Sequence, residues 1–250
     1  MLAAGKGTRM GSDLPKVLHR AAGEPMVRHV VAALRGCGAG PIVLVVGHGA
    51  DLVRDAFAGE GDLRFALQPE QLGTGHAVQC GIAELADASP QRTVLVLCGD
   101  GPLVQASTLR KLLAAHAAAG AAATLATSRV ADPAGYGRIV RDAAGGFRAI
   151  VEDRDATAAE RAIDEINPSV YAFRVGALLE TLPRLGRQNA KGEIYITDAF
   201  GMLVADGGRV AVVDAVPSAE VLSVNTPAQL AEVDAILRAR AGGALGGTRR

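Results

Sequence analysis

A chain of 250 residues is long enough for one large domain or two small ones, and its 26 basic and 26 acidic residues cancel to a formal charge of zero. That balance excludes a general nucleic-acid binder, while leaving room for a local basic pocket. Apolar residues make up 49% and aromatics only 3%, with no tryptophan, so a sizeable core has to be built from Ala, Val, Leu and Ile. Cys37, Cys80 and Cys98 are an odd set at no metal-like spacing, and they read as reduced thiols of a cytoplasmic protein. No secretory signal opens the sequence. The longest apolar patch, Ala114 to Ala126, is mostly alanine broken by His116 and Gly120, so no membrane span is expected.

The sequence opens on Leu2-Ala3-Ala4-Gly5-Lys6-Gly7-Thr8-Arg9-Met10, followed by Pro15-Lys16. Glycines leave backbone N–H groups free to wrap an anion, and Lys6, Arg9 and Lys16 add positive charge. The loop is not a Walker A motif, because Met10 stands where its second glycine belongs. Met10 also fills the third glycine position of a dinucleotide fingerprint. A loop of this kind is expected to follow a central buried strand. Only Met1 precedes Leu2, so that strand reads as cut short.

Helical spacing of apolar residues runs from Met26 to Leu34 and stops at Gly36 and Gly38. The continuous apolar run Ile42–Val46 looks like a parallel strand buried on both faces. A short helix over Ala50–Ala58 and a strand over Leu63–Leu67 come next. The polar loop from Gln68 to Ala77 leads into a helix that Thr74 is placed to cap, with Val78, Ile82 and Leu85 on its apolar face. Thr93–Cys98 is a strand ending in Gly99-Asp100-Gly101-Pro102-Leu103, and a helix carrying Leu109, Leu112 and Leu113 follows.

This alternation predicts an α/β fold with a Rossmann-like, mainly parallel sheet covered by helices. Ligands in such sheets bind at the carboxyl ends of the strands, which is where the unusual polar loops fall. The second half changes character. Thr124–Ser128 continues the sheet, and strands over Gly135–Val140, Phe147–Glu152 and Ile166–Phe173 have no long helices between them, so they are expected to pair antiparallel. Gly192–Asp198 opens a helix to about Ala205, and Val210–Val213 is a further strand. Thr226-Pro227-Ala228-Gln229 is a capping box. The expected organisation is a main domain over 1–226, a C-terminal helix over 227–241, and a flexible tail over 242–250.

Asp100 closes a buried strand at the ligand edge, where a carboxylate suits Mg2+, and Asn225 could lend a side-chain oxygen to the same ion. The strand end and the nearby phosphate loop favour the metal reading for Asp100 over a turn cap beside Pro102, whereas Asn225 taken alone reads as the turn before the Thr226 cap. Arg9 can fork two phosphate oxygens and Lys16 can offset developing charge, though either can also be a solvated surface charge. Gln68, Gly73 and Thr74 suit the edge of a base, or an ordinary capping loop. Glu152 and Asn167 suit the hydroxyls of a polar ligand, or simple strand ends. The five histidines show no metal spacing, and no serine sits in a glycine elbow, so nucleophilic hydrolysis has no support.

Taken in order, these motifs resemble the sugar-1-phosphate nucleotidyltransferase family. The likeness is nearest to the uridyltransferase half of the bifunctional N-acetylglucosamine-1-phosphate uridyltransferase/glucosamine-1-phosphate acetyltransferase. It rests on Leu2–Met10 with Pro15-Lys16, Gln68–Ala77, Gly99–Leu103, Gly135–Ile139, Val151-Glu152 with Asp155-Ala156-Thr157, Glu165–Asn167, Gly192–Asp198 and Val224-Asn225.

The resemblance implies the nucleotide-diphospho-sugar transferase fold, with an antiparallel sugar-binding subregion. It implies Mg2+-dependent uridylyl transfer from UTP to N-acetylglucosamine-1-phosphate in cell-wall and peptidoglycan precursor biosynthesis, with no partner nucleic acid or membrane. Leu2, Ala3, Ala4, Gly5 and Lys16 would hold triphosphate, and Arg9 would aid charge stabilisation. Gln68, Gly73 and Thr74 would read uracil. Asp100 and Asn225 would bind the metal, and Gly137, Glu152 and Asn167 the amino sugar, with Cys98 and Gly99 lining the site. Cys98 stands where the family often has an aromatic residue, and Pro168-Ser169 replaces a small-Gly pair. The family's hexapeptide-repeat half is not in this sequence, so acetyl transfer is not expected, and because that half builds the family's trimer the oligomeric state is left open. Two rivals remain: another sugar-1-phosphate nucleotidyltransferase, such as one using glucose-1-phosphate, and a non-catalytic nucleotide-sugar-binding module.

Overall fold

The computed structural model describes residues 1–246, with side-chain surroundings through Gly242. A small hairpin, β1 (Arg20–Ala21) and β2 (Glu24–Pro25), leads into α1 (Met26–Gly36). Alternation follows: β3 (Ile42–Val46), α2 (Ala50–Asp55), β4 (Leu63–Leu67), α3 (Thr74–Ala83), β5 (Thr93–Leu97), α4 (Ala106–Ala119) and β6 (Ala123–Arg129). Then come β7 (Gly137–Arg141), β8 (Phe147–Val151), α5 (Ala158–Arg161), β9 (Glu165–Asn167), β10 (Val170–Arg174) and α6 (Val175–Thr181). The chain closes with α7 (Asp198–Ala205), β11 (Val210–Asp214) and α8 (Pro227–Gly246).

β3 shows why the sheet is buried on both faces. All five of its residues are buried. Ile42, Leu44 and Val46 face a core with Val27, Val30 and Val31 of α1 and Leu109 and Leu112 of α4. The intervening Val43 and Val45 face Ala77 of α3 on the other side. Side chains alternate across a strand, so a run with both parities apolar needs a helix on each face.

β3 and β4 pair in parallel. Residues 1–3 occupy the next place: Leu2 bridges Val45 and Cys98, both in parallel. Its N–H donates to the Leu97 carbonyl at 2.8 Å, and the Ala3 N–H donates to that of Val45 at 2.8 Å. β10 lies antiparallel between β5 and β6, and β11 runs parallel to β6. The mainly parallel, helix-covered sheet is therefore present, with β10 as its one reversed strand. The far end of β6 runs into the antiparallel arm, where it pairs with β9, β9 with β7 and β7 with β8.

The opening residues form no strand of their own, but Leu2 sits centrally, bridged between β3 and the end of β5. The Met1 ammonium donates to the Val43 carbonyl at 2.8 Å, and burial pushes its pKa down to about 6. Beside it, between the starts of β3 and β5, lies an apolar cavity of about 230 Å³ lined by Pro41, Val43, Thr93 and Leu95.

Several expectations are corrected. The strand expected over Ile166–Phe173 is two strands, broken at Pro168-Ser169 where Ser169 takes φ 60°. Proline has no N–H for a ladder, and the left-handed serine turns the chain from the arm back into the main sheet. The hairpin β1–β2 and helices α5 and α6 were not anticipated, because elements of two to seven residues repeat their period too few times to show a pattern. The last helix runs past 241 to Gly246, so the tail expected over 242–250 begins helical, and 247–250 lie outside the described residues. No helix among the described residues is long and apolar enough to cross a membrane. All three cysteines are free thiols.

Candidate active site

The polar loops that follow residues 1–3, β4 and β5 meet at the carboxyl edge of the sheet, as the topology requires. In the opening loop Gly7 has φ 66°, and a Cβ there would lie 2.6 Å from Cβ of Lys16. Glycine is needed at this point so that the two segments can cross. Pro15 then leads into a tight turn over Lys16–Leu18. Ala3 and Ala4 are buried at the base of the loop, while nothing stands within 4 Å of a Cβ built on Gly5.

Lys16 reaches across to Asp100, and their side chains form an ion pair. Its Nζ also donates to Asn225 Oδ1 at 3.2 Å, and Arg9 Nη2 donates to the same oxygen at 3.0 Å. Two cations of the opening loop and two oxygen-bearing side chains from distant parts of the sequence thus form one cluster. Backbone bonds fix its far side. The Val224 N–H donates to the Asp100 carbonyl at 2.9 Å, and the Asn225 N–H to Gln229 Oε1 at 2.8 Å. The capping box is consequently shifted: Thr226 Oγ1 accepts from the Gln229 N–H, but the Gln229 side chain serves Asn225.

The donor set fits a Mg2+ ion. Asp100 and Asn225 point hard oxygens at one position, marked by Lys16 Nζ. Among the described residues no three His, Cys, Asp or Glu side chains gather as a metal cage. Mg2+ asks for only one or two protein oxygens, with water and phosphate completing its shell.

Gln68 follows β4 and is buried. Its Nε2 donates to the Gly73 carbonyl at 3.0 Å, so its amide shapes the loop from inside. Gly73 has φ 116°, and a Cβ there would sit 2.4 Å from the Ile194 carbonyl oxygen. Thr74 does not cap α3, whose N-cap is Gly73. Its hydroxyl accepts from the Ile196 N–H at 3.1 Å instead. With Gly75 N–H to Ile194 O at 2.8 Å and Ile194 N–H to Leu72 O at 2.7 Å, these bonds zip the stretch before α7 onto the Gln68–Thr74 loop.

A cavity of about 370 Å³ opens beside Arg9 and Thr74, with Leu2 and Cys98 in its wall and Glu152, Tyr171 and Thr197 opposite. Glu152 accepts from the Thr197 hydroxyl at 3.3 Å. Burial pushes its carboxyl above the usual range, with Asp155 and Asp198 adding to the shift and Thr197 and Lys191 opposing it. Burial, with Asp100 nearby, pushes the Cys98 thiol up to about 12, so it is no nucleophile. Gly99 backs onto residue 2, its N–H donating to the Leu2 carbonyl at 2.8 Å.

Gly137 and Asn167 face each other in the β7–β9 ladder and do not line the cavity. Asn167 is engaged at both ends: Nδ2 donates to Tyr171 Oη at 2.8 Å, and Oδ1 accepts from the Ser169 N–H at 3.1 Å. Lys191, Glu193, Tyr195 and Thr197 do line it, and no individual role was foreseen for them. The helix begins only at Asp198: residues 192–195 form no regular element, and Ile196–Thr197 turn into the helix. The signal was present: polar Glu193, Tyr195 and Thr197 alternate with Ile194 and Ile196, which pack into the core.

Residues 1–192 match the family model described as the MobA-like NTP transferase domain. The chain belongs to this NTP transferase family. Among similar proteins, the bifunctional protein GlmU of Pelobacter propionicus is 49% identical over 240 residues, covering 96% of this chain and 52% of that protein. The same-named protein of Bordetella petrii is 50% identical over 236 residues, covering 94% and 51%. The chain thus spans about half the length of the curated relatives it matches. A solved structure, of apo-UDP-glucose pyrophosphorylase, superposes with a TM-score of 0.74 at 16% identity, covering 96% of this chain and 98% of that one. At that identity the likeness shows a shared fold. The NTP transferase assignment makes the chain a nucleotidyltransferase by family, and its polar cluster stands where such a fold binds ligands.

Proposed function

We propose that the protein transfers a uridylyl group from UTP to N-acetylglucosamine-1-phosphate. The products are UDP-N-acetylglucosamine and pyrophosphate. A phosphate oxygen of the sugar phosphate attacks the α-phosphorus in line, the bond to the β-phosphate oxygen breaks, and pyrophosphate leaves. No enzyme-bound intermediate is required, which suits a site with no activated nucleophile. The observation that carries this reading is the convergence of Arg9, Lys16, Asp100 and Asn225 beside the 370 Å³ cavity.

In this reading the Leu2–Gly5 backbone cradles the triphosphate. Lys16 and Arg9 offset charge on the phosphate oxygens. Asp100 and Asn225 are the residues that would hold Mg2+; bound there, it would neutralise phosphate charge. Gln68 shapes the uracil-reading loop, in which Gly73 and Thr74 offer the contacts. Glu152 accepts from sugar hydroxyls, and the Gly137–Asn167 pair supports the sugar subsite from below.

Pyrophosphate release across a panel of nucleotides and sugar phosphates tests the reading. UTP with N-acetylglucosamine-1-phosphate should give the highest kcat/KM. Equal turnover with glucose-1-phosphate would remove the N-acetylglucosamine assignment, and no release from any pair would favour a non-catalytic binding module. One observation favours keeping a different sugar in view: Asn167 already spends both ends of its amide within the protein.

A further inference from the structure

We propose that Lys16 is a placeholder cation, closing the Asp100–Asn225 oxygen pair to free divalent metal until a bound triphosphate draws its ammonium away. The inference rests on the metal-binding role proposed for that pair, and goes beyond it by setting the order in which ion and nucleotide can enter.

The geometry supports it in three ways. First, one ammonium contacts both would-be metal ligands, Asp100 Oδ2 and Asn225 Oδ1, so it stands where an ion bridging them would stand. Arg9 covers the second oxygen as well. Second, the cluster is largely shielded, with the Lys16 and Asp100 side chains only 15% and 16% exposed. At that depth solvent screens an ammonium from a divalent ion only partly, so at contact distance the two repel each other.

Third, the arrangement has a way out. The Lys16 backbone is held close against Gly7, but its side chain is long and its charge is a compact point on a flexible stem. The glycine loop that would hold a triphosphate lies on the same side. Phosphate oxygens arriving there compete for the Lys16 and Arg9 charges and leave both Asp100 and Asn225 without their cations. A free carboxylate at that depth then needs a new counter-ion, which a Mg2+ accompanying the triphosphate supplies. The apo protein should therefore bind metal poorly, although its two ligands are already in place.

The test uses Mn2+ alone, without nucleotide, on the full chain, with free ion followed by electron paramagnetic resonance. Lys16→Gln should bind Mn2+ at least about tenfold more tightly than the wild type, a gain that draws on a small part of the ammonium–metal repulsion. Adding Asp100→Asn to that variant should abolish the gain. Lys16→Met serves as a second variant, with thermal melts confirming that each is folded. Equal Mn2+ affinity in the wild type and both Lys16 variants overturns the proposal, as does a gain that survives Asp100→Asn. Pyrophosphate release by the wild type keeps the two readings apart. Normal turnover with no Lys16 effect on Mn2+ sinks only the placeholder, whereas absent turnover sinks the transfer reaction.

Discussion

Glu152 shows how one side chain ties the site to solution conditions. Its carboxyl is raised first by burial and then by Asp155 and Asp198, while Thr197 and Lys191 pull it down. A carboxyl whose folded pKa lies above its unfolded value binds its proton more tightly in the native state. Its contribution favours folding below the unfolded pKa and is lost as pH rises through the folded pKa. Glu152→Gln removes that cost. Its melting temperature relative to the wild type should therefore be higher at pH 8 and converge on it near pH 4. In the proposed reaction the same change should raise KM for the sugar phosphate about tenfold or more, with a smaller effect on kcat, because a charged acceptor becomes a neutral one. A KM that is unchanged would take Glu152 out of sugar recognition. At this scale the sequence told part of the story. Arg9, Lys16, Asp100 and Asn225 were legible because glycine, proline and strand ends are local marks. Whether the Thr74 hydroxyl is free was not, because its partner Ile196 is brought near only by folding, and the Gln68 and Asn167 amides turn on local loop geometry that no sequence pattern marks.

The elements divide in the same way. β3 and β5 could be read from runs of Val, Leu and Ile, since a strand packed on both faces has a composition of its own. Antiparallel pairing of this segment was legible, but its insertion between β5 and β6 was not, because that place depends on segments far away in sequence. Pro168-Ser169 marked the turn that makes it possible, and that pair fell inside what looked like one strand. The joint between the Gln68–Thr74 loop and the stretch before α7 is the most exacting contact between elements at the site. A side chain on Gly73 meets the Ile194 carbonyl and must adopt φ 116°. Gly73→Ala should thus destabilise the fold by about 1–3 kcal/mol through backbone strain. It should also raise KM for the nucleotide more than KM for the sugar phosphate. Denaturant melts and the two KM values check this, and a nucleotide KM that stays at the wild-type value would detach the loop from base recognition.

For the whole molecule, the loop-bearing carboxyl edge of the sheet and the antiparallel arm meet around the 370 Å³ cavity. The stretch from Asn189 to Thr197 belongs to both. On one side its backbone is bonded to Leu72, Thr74 and Gly75. On the other, the Ala190 N–H donates to Asp155 Oδ1 at 2.9 Å, and Thr197 bonds to Glu152. A ligand that orders this stretch from one side spares a ligand on the other side part of that ordering cost. The two affinities are then joined in a thermodynamic box. The factor by which a non-hydrolysable UTP analogue tightens sugar-phosphate binding must equal the factor by which the sugar phosphate tightens the analogue. Titration calorimetry in both orders should give a coupling of about 1–3 kcal/mol, and Thr197→Val should shrink it from both directions alike. Independent binding would show the shared stretch to be a passive wall. Synergy that vanishes with one hydroxyl would make it the hinge of a reciprocal free energy, in which each substrate helps to prepare the place of the other.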